Sequence, residues 1–318
     1  GHVRIYKYNG SAWLQLGLDV KGESAGDQSG RSVSLSSDGT ILAIGAYTND
    51  GNGSKSGHVR IYNYAANNWI QLGADIDGEA ADDYLGQSVS LSSDGKTVAI
   101  GAYLNDGNGV DSGHVRIYKY IGTTWTQLGT DIDGEAASDQ SGHSVSLSSD
   151  GKTVAIGAKL NDGNGSNSGH VRIYNYEETT WTQLGADIDG EVASDYSGQS
   201  ISLSSDGKTV AIGAYLNAGN GTYSGHVRVY SLVQINKIPV ASNVSAATVK
   251  NTNASIHLVA SDANFDTLTY SIVSDPSNGT ATLNGDTVTY TPNTDFVGTD
   301  TFTFKANDEE SDSEIKTV

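Results

Sequence analysis

The chain of 318 residues contains no cysteine and no methionine. Disulfides therefore cannot hold the fold, and thiol nucleophiles, zinc–thiolate sites and iron–sulfur clusters are excluded. Proline is rare, at 3 residues against 39 glycines, a balance that suits many tight turns between strands rather than a disordered linker. No apolar run approaches the ~18 residues of a membrane-spanning helix and no signal peptide is recognisable, so membrane insertion is not expected. Positive charge is also scarce: 18 Lys and Arg against 37 Asp and Glu give a formal net charge of -19. Nucleic acids and anionic lipid surfaces need clustered Lys and Arg to release counterions. Neither is expected as a partner, whereas cationic partners, metal ions and neutral glycans stay open.

What the chain does have is repetition. The segment Gly-His-Val-Arg-(Ile/Val)-Tyr opens at Gly1, Gly57, Gly113, Gly169 and Gly225, an unbroken interval of 56 residues. A fixed period of this size, built from short strands, predicts an all-β fold of stacked β-propeller blades. In the unit that starts at Gly86, residues 87–92 alternate apolar and small polar side chains, 93–96 make a turn and 97–102 form a second strand. A loop rich in Asn, Asp and Gly leads to a third strand at 113–118, and Trp125 opens a fourth. Four antiparallel strands make one blade. Val89, Leu91, Val98, Ile100 and their equivalents are expected to pack between blades, together with Trp13, Trp69, Trp125 and Trp181. The His-Val-Arg strand occurs five times but the first hairpin and the Trp strand only four. With no methionine and an opening inside a repeat, residues 1–232 are expected to be an incomplete propeller with further repeats before residue 1, a smaller or open arc being the alternative.

The order Ser-Gly-x-Ser-Val-Ser-Leu, Val-Ala-Ile-Gly-Ala-Tyr, Ser-Gly-His-Val-Arg-Ile-Tyr and Ile-Asp-Gly-Glu resembles the FG-GAP repeat of integrin α-subunit propellers and bacterial surface proteins. Ser141-Gly142 stands where that family has Phe-Gly, and Gly101-Ala102-Tyr103 where it has Gly-Ala-Pro. The family's calcium loop is an Asp-rich first hairpin. Here that turn shrinks to Ser93-Asp94-Gly95, so its ligands do not carry over to this chain.

Two other segments offer oxygen ligands for calcium, the one cofactor the sequence leaves open. Asn49, Asp50 and Asn52, with Asn105, Asp106 and Asn108 and with Asn161, Asp162 and Asn164, belong to Asn-Asp-Gly-Asn-Gly loops, whose spacing lets alternate side chains face one hard cation. The competing reading is a turn whose side chains bond their own backbone. The acidic connectors bring Asp75, Asp77 and Glu79, Asp131, Asp133 and Glu135, and Asp187, Asp189 and Glu191 into short stretches, where a cation or hydrogen bonds must offset mutual repulsion. His2, His58, His114, His170 and His226 recur with an Arg two residues on, and a structural pairing with carboxylates is expected of them.

No catalytic residue is assigned. Ser-Ser-Asp-Gly-Lys-Thr resembles the Asp-box turn of sialidases but lacks its closing aromatic residue, and no nucleophile motif is present, so the chain is read as no enzyme. Copies differ most at Gln28, Tyr84, Gln140 and Tyr196 and at Tyr47, Tyr103, Lys159 and Tyr215. Of these, Tyr47, Tyr84, Tyr103, Tyr196 and Tyr215 are the candidate ligand face.

The repeat stops near residue 232. After a linker at 233–239, short alternating strands separated by Asn, Gly, Asp and Pro turns begin at Val240. Thr289-Tyr290-Thr291-Pro292 followed by Phe296-Val297-Gly298-Thr299-Asp300-Thr301-Phe302 resembles the cadherin-like and bacterial Ig-like domains of large surface proteins. That resemblance covers 240–318 and implies an Ig-like β-sandwich, unfinished at its C-terminus, with acidic positions at Asp262, Asp266 and Asp308 sometimes used for calcium. The whole predicts an extracellular or cell-surface bacterial piece that continues into further domains. Its propeller would bind an extracellular protein or glycan from an Ig-like stalk. A spacer or filament subunit without a ligand is the alternative, and a glycan-processing enzyme a more distant one.

Overall fold

A computed structural model describes residues 1–231, 236–263 and 266–318. The chain divides into two compact units, Gly1–Leu232 and Val233–Val318. Residues 232–235, where the repeat ends and the linker begins, lie outside the described residues. Every regular element described is a strand.

The first unit is a row of blades. Strands His2–Val3, Tyr6–Tyr8, Trp13–Gln15 and Val20–Lys21 form a leading half-blade. Blades I (32–77), II (85–133) and III (141–189) are complete, and blade IV (197–231) shows three strands among the described residues. In blade II the antiparallel order runs Leu85–Leu91, Thr97–Ala102, His114–Ile121, Thr124–Gln127. The fourth strand is broken. After the Trp segment the chain bulges and then returns as Ile132–Asp133, which pairs with His114 and Val115. The acidic connector is thus half strand.

The second strand, Thr97–Ala102, is buried along its whole length, which is why its sequence is an apolar run rather than an alternation. The first strand alternates because its two sides face two different blades. Val89 and Leu91 point back into a cluster with Ala43, Val59 and Ile61 of blade I. Ser88 and Ser90 point forward. Ser88 Oγ donates to the Gly142 carbonyl at 2.8 Å, and Ser90 Oγ accepts the Leu147 N–H at 3.0 Å. The same bonds link blades I to II and III to IV.

Two glycines set how closely the blades approach. A Cβ on Gly101 would overlap the carbonyl oxygen of Gly142, which itself lies in the left-handed region at φ 81°. A side chain at either site pushes the sheets apart or strains the turn. The Trp strands complete the interface from outside: Trp125 Nε1 donates to the Leu72 carbonyl of blade I at 2.7 Å, and Trp69 and Trp181 repeat this on Leu16 and Leu128. Trp13 departs from expectation, being 68% exposed, since none of the described residues packs on it as a preceding blade.

The second unit packs Ile256, Leu258, Val288, Phe302 and Phe304 between small antiparallel sheets. Its motif residues have structural tasks. Tyr290 Oη donates to Asp300 Oδ2 at 2.9 Å, and Asp300 also accepts the N–H groups of Ser277, Asn278 and Thr301. Burial alone would raise the Asp300 carboxyl, but these bonds hold it below the ordinary range.

Candidate functional site

The variable positions converge on one surface of the blades. Tyr47, Tyr103 and Lys159 follow the second strands; Gln28, Tyr84, Gln140 and Tyr196 precede the first strands, each with φ between 53° and 58°. Non-glycine residues rarely take this conformation, but it recurs in each copy also at Lys55, Asp111, Asn167 and Tyr223 and at Asp82, Ser138 and Ser194, so it belongs to the turns of the repeat. The turn presents the side chain toward the neighbouring blade. Tyr84 sits between Tyr47 and Tyr103, with ring centroids 5.6 Å and 5.8 Å away. His143 extends the row, edge-on to Tyr103 at 5.8 Å. Tyr196 and Tyr215 form a separate pair at 5.8 Å. The five tyrosines therefore make an arc of three and a pair, and the arc is half-buried, not fully exposed.

A polar row runs beside the aromatic one. The residue after each first-strand glycine is Arg31, Gln87, His143 and Gln199 in turn. Arg31 Nε donates to Gln87 Oε1 at 3.1 Å, and the Gln87 amide lies 3.5 Å from the His143 ring. Arg31 also stacks over Tyr47 at 5.3 Å, and Lys55 over Tyr84 at 5.7 Å, contacts favourable between a cation and an aromatic face. Burial, then Lys159 and Arg31, push the His143 imidazole down to about 4. Lys159 is held below its ordinary value by burial and then by Arg31. A chain with a net charge of -19 thus gathers cations here. Arg31, Gln87 and His143 escaped the sequence reading because they sit inside a strand motif; their variation from copy to copy was the available signal.

The calcium candidates are engaged in bonds of their own. In the loops, Asn105 Oδ1 accepts the Gly107 N–H, Asp106 Oδ1 accepts the Asp111 N–H, and the Asn108 amide donates to the carbonyls of Gly134 and Glu135. Asn49, Asp50 and Asn52, and Asn161, Asp162 and Asn164, repeat the set. These bonds staple loop to connector directly and match the turn reading. In the first hairpin Asp94 accepts the Ser92 hydroxyl and the Lys96 N–H.

The connector carboxylates meet the His and Arg of the third strand. Arg116 bonds both oxygens of Asp131 at 3.0 Å and also pairs with Glu79 of the preceding connector. Burial would lower the Arg116 guanidinium, but the two carboxylates outweigh it and raise it. Burial and then Arg116 depress His114. Asp75 and Glu23 hold Arg60 in the same way. Asp133, with its equivalents Asp77 and Asp189, lies on the outer strand segment beside the Asn loop, where a Cβ on Gly107 would be 3.0 Å from Asp133 Oδ1. Glu191 pairs with Arg228.

With this geometry in view, comparison with known proteins gives a consistent architecture. Residues 21–62, 75–118 and 130–174 match the FG-GAP repeat, and 236–318 match the bacterial Ig domain. The chain carries FG-GAP repeats followed by a bacterial Ig domain. No curated protein matches it. Among solved structures, the β-propeller domain of the Trilobed protease from Pyrococcus furiosus is 10% identical, covering 89% of this chain and 69% of its own, with a TM-score of 0.38. The tricorn protease is 11% identical over 69% of this chain and 18% of its own, at 0.36, and the Pyrococcus horikoshii acylaminoacyl peptidase 10% over 88% and 44%, at 0.34. Likeness at that level carries no argument about the chemistry of these repeats.

Proposed function

We propose that the FG-GAP repeats form a non-enzymatic recognition module of a secreted or cell-surface bacterial protein, held outward by Ig-like domains, and that its ligand is an extracellular glycan or glycoprotein bearing acidic sugars. The observation that carries this is the arc of Tyr47, Tyr84 and Tyr103 flanked by Arg31, His143 and Lys159. Aromatic faces stack on sugar rings, and a cationic locus on an otherwise acidic surface selects a carboxylate-bearing ligand against the bulk repulsion. This reading does not depend on calcium, and in the loops Asn105 Oδ1 and Asp106 Oδ1 each accept a backbone N–H. Adding millimolar calcium to the metal-free chain should leave its melting temperature unchanged.

Glycan-array and cell-binding measurements with the 318-residue chain test the reading. Binding to acidic glycans that weakens with salt, and falls on Tyr103→Ala and Lys159→Gln, is expected. A chain that binds nothing would favour the spacer reading. Binding that neither substitution changes would move the ligand to another surface.

A further inference from the structure

We infer that Glu135, His170 and Asp187, at the junction of blades II and III, form a site for a divalent cation of the zinc type. The inference is independent of the ligand proposed above. His170 is 1% exposed, and neither of its ring nitrogens has a hydrogen-bond partner. A buried imidazole without partners is costly unless something binds it. Its Nδ1 faces the two carboxylates, 3.7 Å from Glu135 Oε2 and 3.8 Å from Asp187 Oδ2. One donor atom from each of the three residues lies within 4.8 Å of the other two. Tetrahedral bonds of ~2.0–2.1 Å put neighbouring donors roughly 3.4 Å apart, so the set needs to contract by only a few tenths of an ångström along the two His170 edges.

The same triad occurs twice more among the described residues, as Glu23, His58, Asp75 and as Glu79, His114, Asp131. There the protein supplies its own cation. Arg60 and Arg116 bond the connector aspartate at 3.0 Å and pair with the glutamate. Blade III differs. Arg172 turns its Nη2 to the carbonyl oxygen of Asp133 at 2.6 Å, its Nη1 stands 3.6 Å from Glu135, and its Nε has no partner. The Gln183 amide donates to Asp187 Oδ1 at 2.7 Å and leaves Oδ2 toward His170, while Glu135 and Asp187 stand close enough that burial and then the Asp187 charge raise the Glu135 carboxyl. A donor bonded to the far oxygen of a ligating carboxylate fixes that carboxylate's orientation. The donor set decides the ion. One imidazole and two carboxylates with a fourth position for water suit zinc, whereas calcium wants six to eight oxygens and the softest ions want sulfur.

Cobalt(II), as a spectroscopic stand-in, and zinc titrated calorimetrically into the 318-residue chain test this. The account expects one ion per chain, visible absorption characteristic of low-coordinate cobalt, and a loss of at least ~100-fold in affinity for His170→Gln. Glu135→Gln, on a side chain exposed enough to be replaced without disturbing the core, should lose affinity comparably and keeps the test valid if His170→Gln fails to fold. Arg172→Gln should bind at least as tightly as the parent, because it removes the competing cation, and His114→Gln should change nothing. No binding, affinity unaffected by Glu135→Gln, or three ions per chain would overturn the assignment.

Discussion

Blade II and the two ends of the row contain nearly the same residues in opposite surroundings. Val89 and Leu91 are 9% and 7% exposed, but their equivalents Val33 and Leu35 are 53% and 47% exposed. Val115 and Ile117 are fully buried, yet Val227 and Val229 are about two-thirds exposed. The repeat does not contain its own core. Each blade supplies half an interface, and burial appears only where a neighbour supplies the other half, as expected of stacked repeats whose stability is a sum of nearest-neighbour contacts.

The comparison can be broken most severely at the glycine contact. Gly101→Val sets a side chain against the Gly142 carbonyl, a backbone group that cannot give way, in addition to the Ser88 hydroxyl. It should cost more than ~4 kcal/mol in denaturant unfolding, or prevent folding, whereas Gly213→Val, with only the Ser200 side chain of its own blade close by, should be tolerated far better. Next comes the core itself. Ile117→Ala should lose about 2–4 kcal/mol, the cost of an unfilled cavity, and Val229→Ala less than ~0.5 kcal/mol. Equal losses would mean that the ends are packed after all.

Copies that differ in sequence sharpen the comparison further. His143 stands where other blades have Arg31, Gln87 and Gln199, and its folded value is about 4 against an ordinary 6.5. Between those values the unfolded chain takes up a proton that the folded chain refuses. Stability therefore falls as pH drops through that window, by on the order of 3 kcal/mol less whatever screening the half-buried ring receives. Burial depresses His114 and His170 too, so they act in the same direction. Unfolding curves of His143→Gln should show this residue's share removed, with theirs remaining. The smallest effect belongs to the serines. Ser90→Ala should cost about 1 kcal/mol through its bond to Leu147, and Ser202→Ala, on the exposed side of blade IV, almost nothing.

Much of the fold was legible because repetition amplifies it. The 56-residue interval, the apolar second strand and the Tyr-Thr-Pro and Thr-Asp-Thr-Phe segments of the Ig-like unit each carry a local physical reason for their form. What stayed hidden were contacts between copies. Ser88 and Ser90 read as polar because nothing in one repeat indicates that the next blade's backbone awaits them. The fourth strand read as strand then connector because Ile132–Asp133 pairs only after a bulge. At the candidate site the variable tyrosines were visible, but their division into an arc of three and a pair depends on Lys159 and Gln140 interrupting the series. The Asn loops showed ligand-like spacing that serves backbone hydrogen bonds, since the same oxygens suit both tasks.

Residue-resolved amide hydrogen exchange on the 318-residue chain tests most directly the claim that neighbouring blades make the core. The account predicts that the second-strand amides of blades II and III exchange only near global unfolding, while the first strand of blade I and the third strand of blade IV exchange orders of magnitude faster. Uniform protection across all four copies would contradict it.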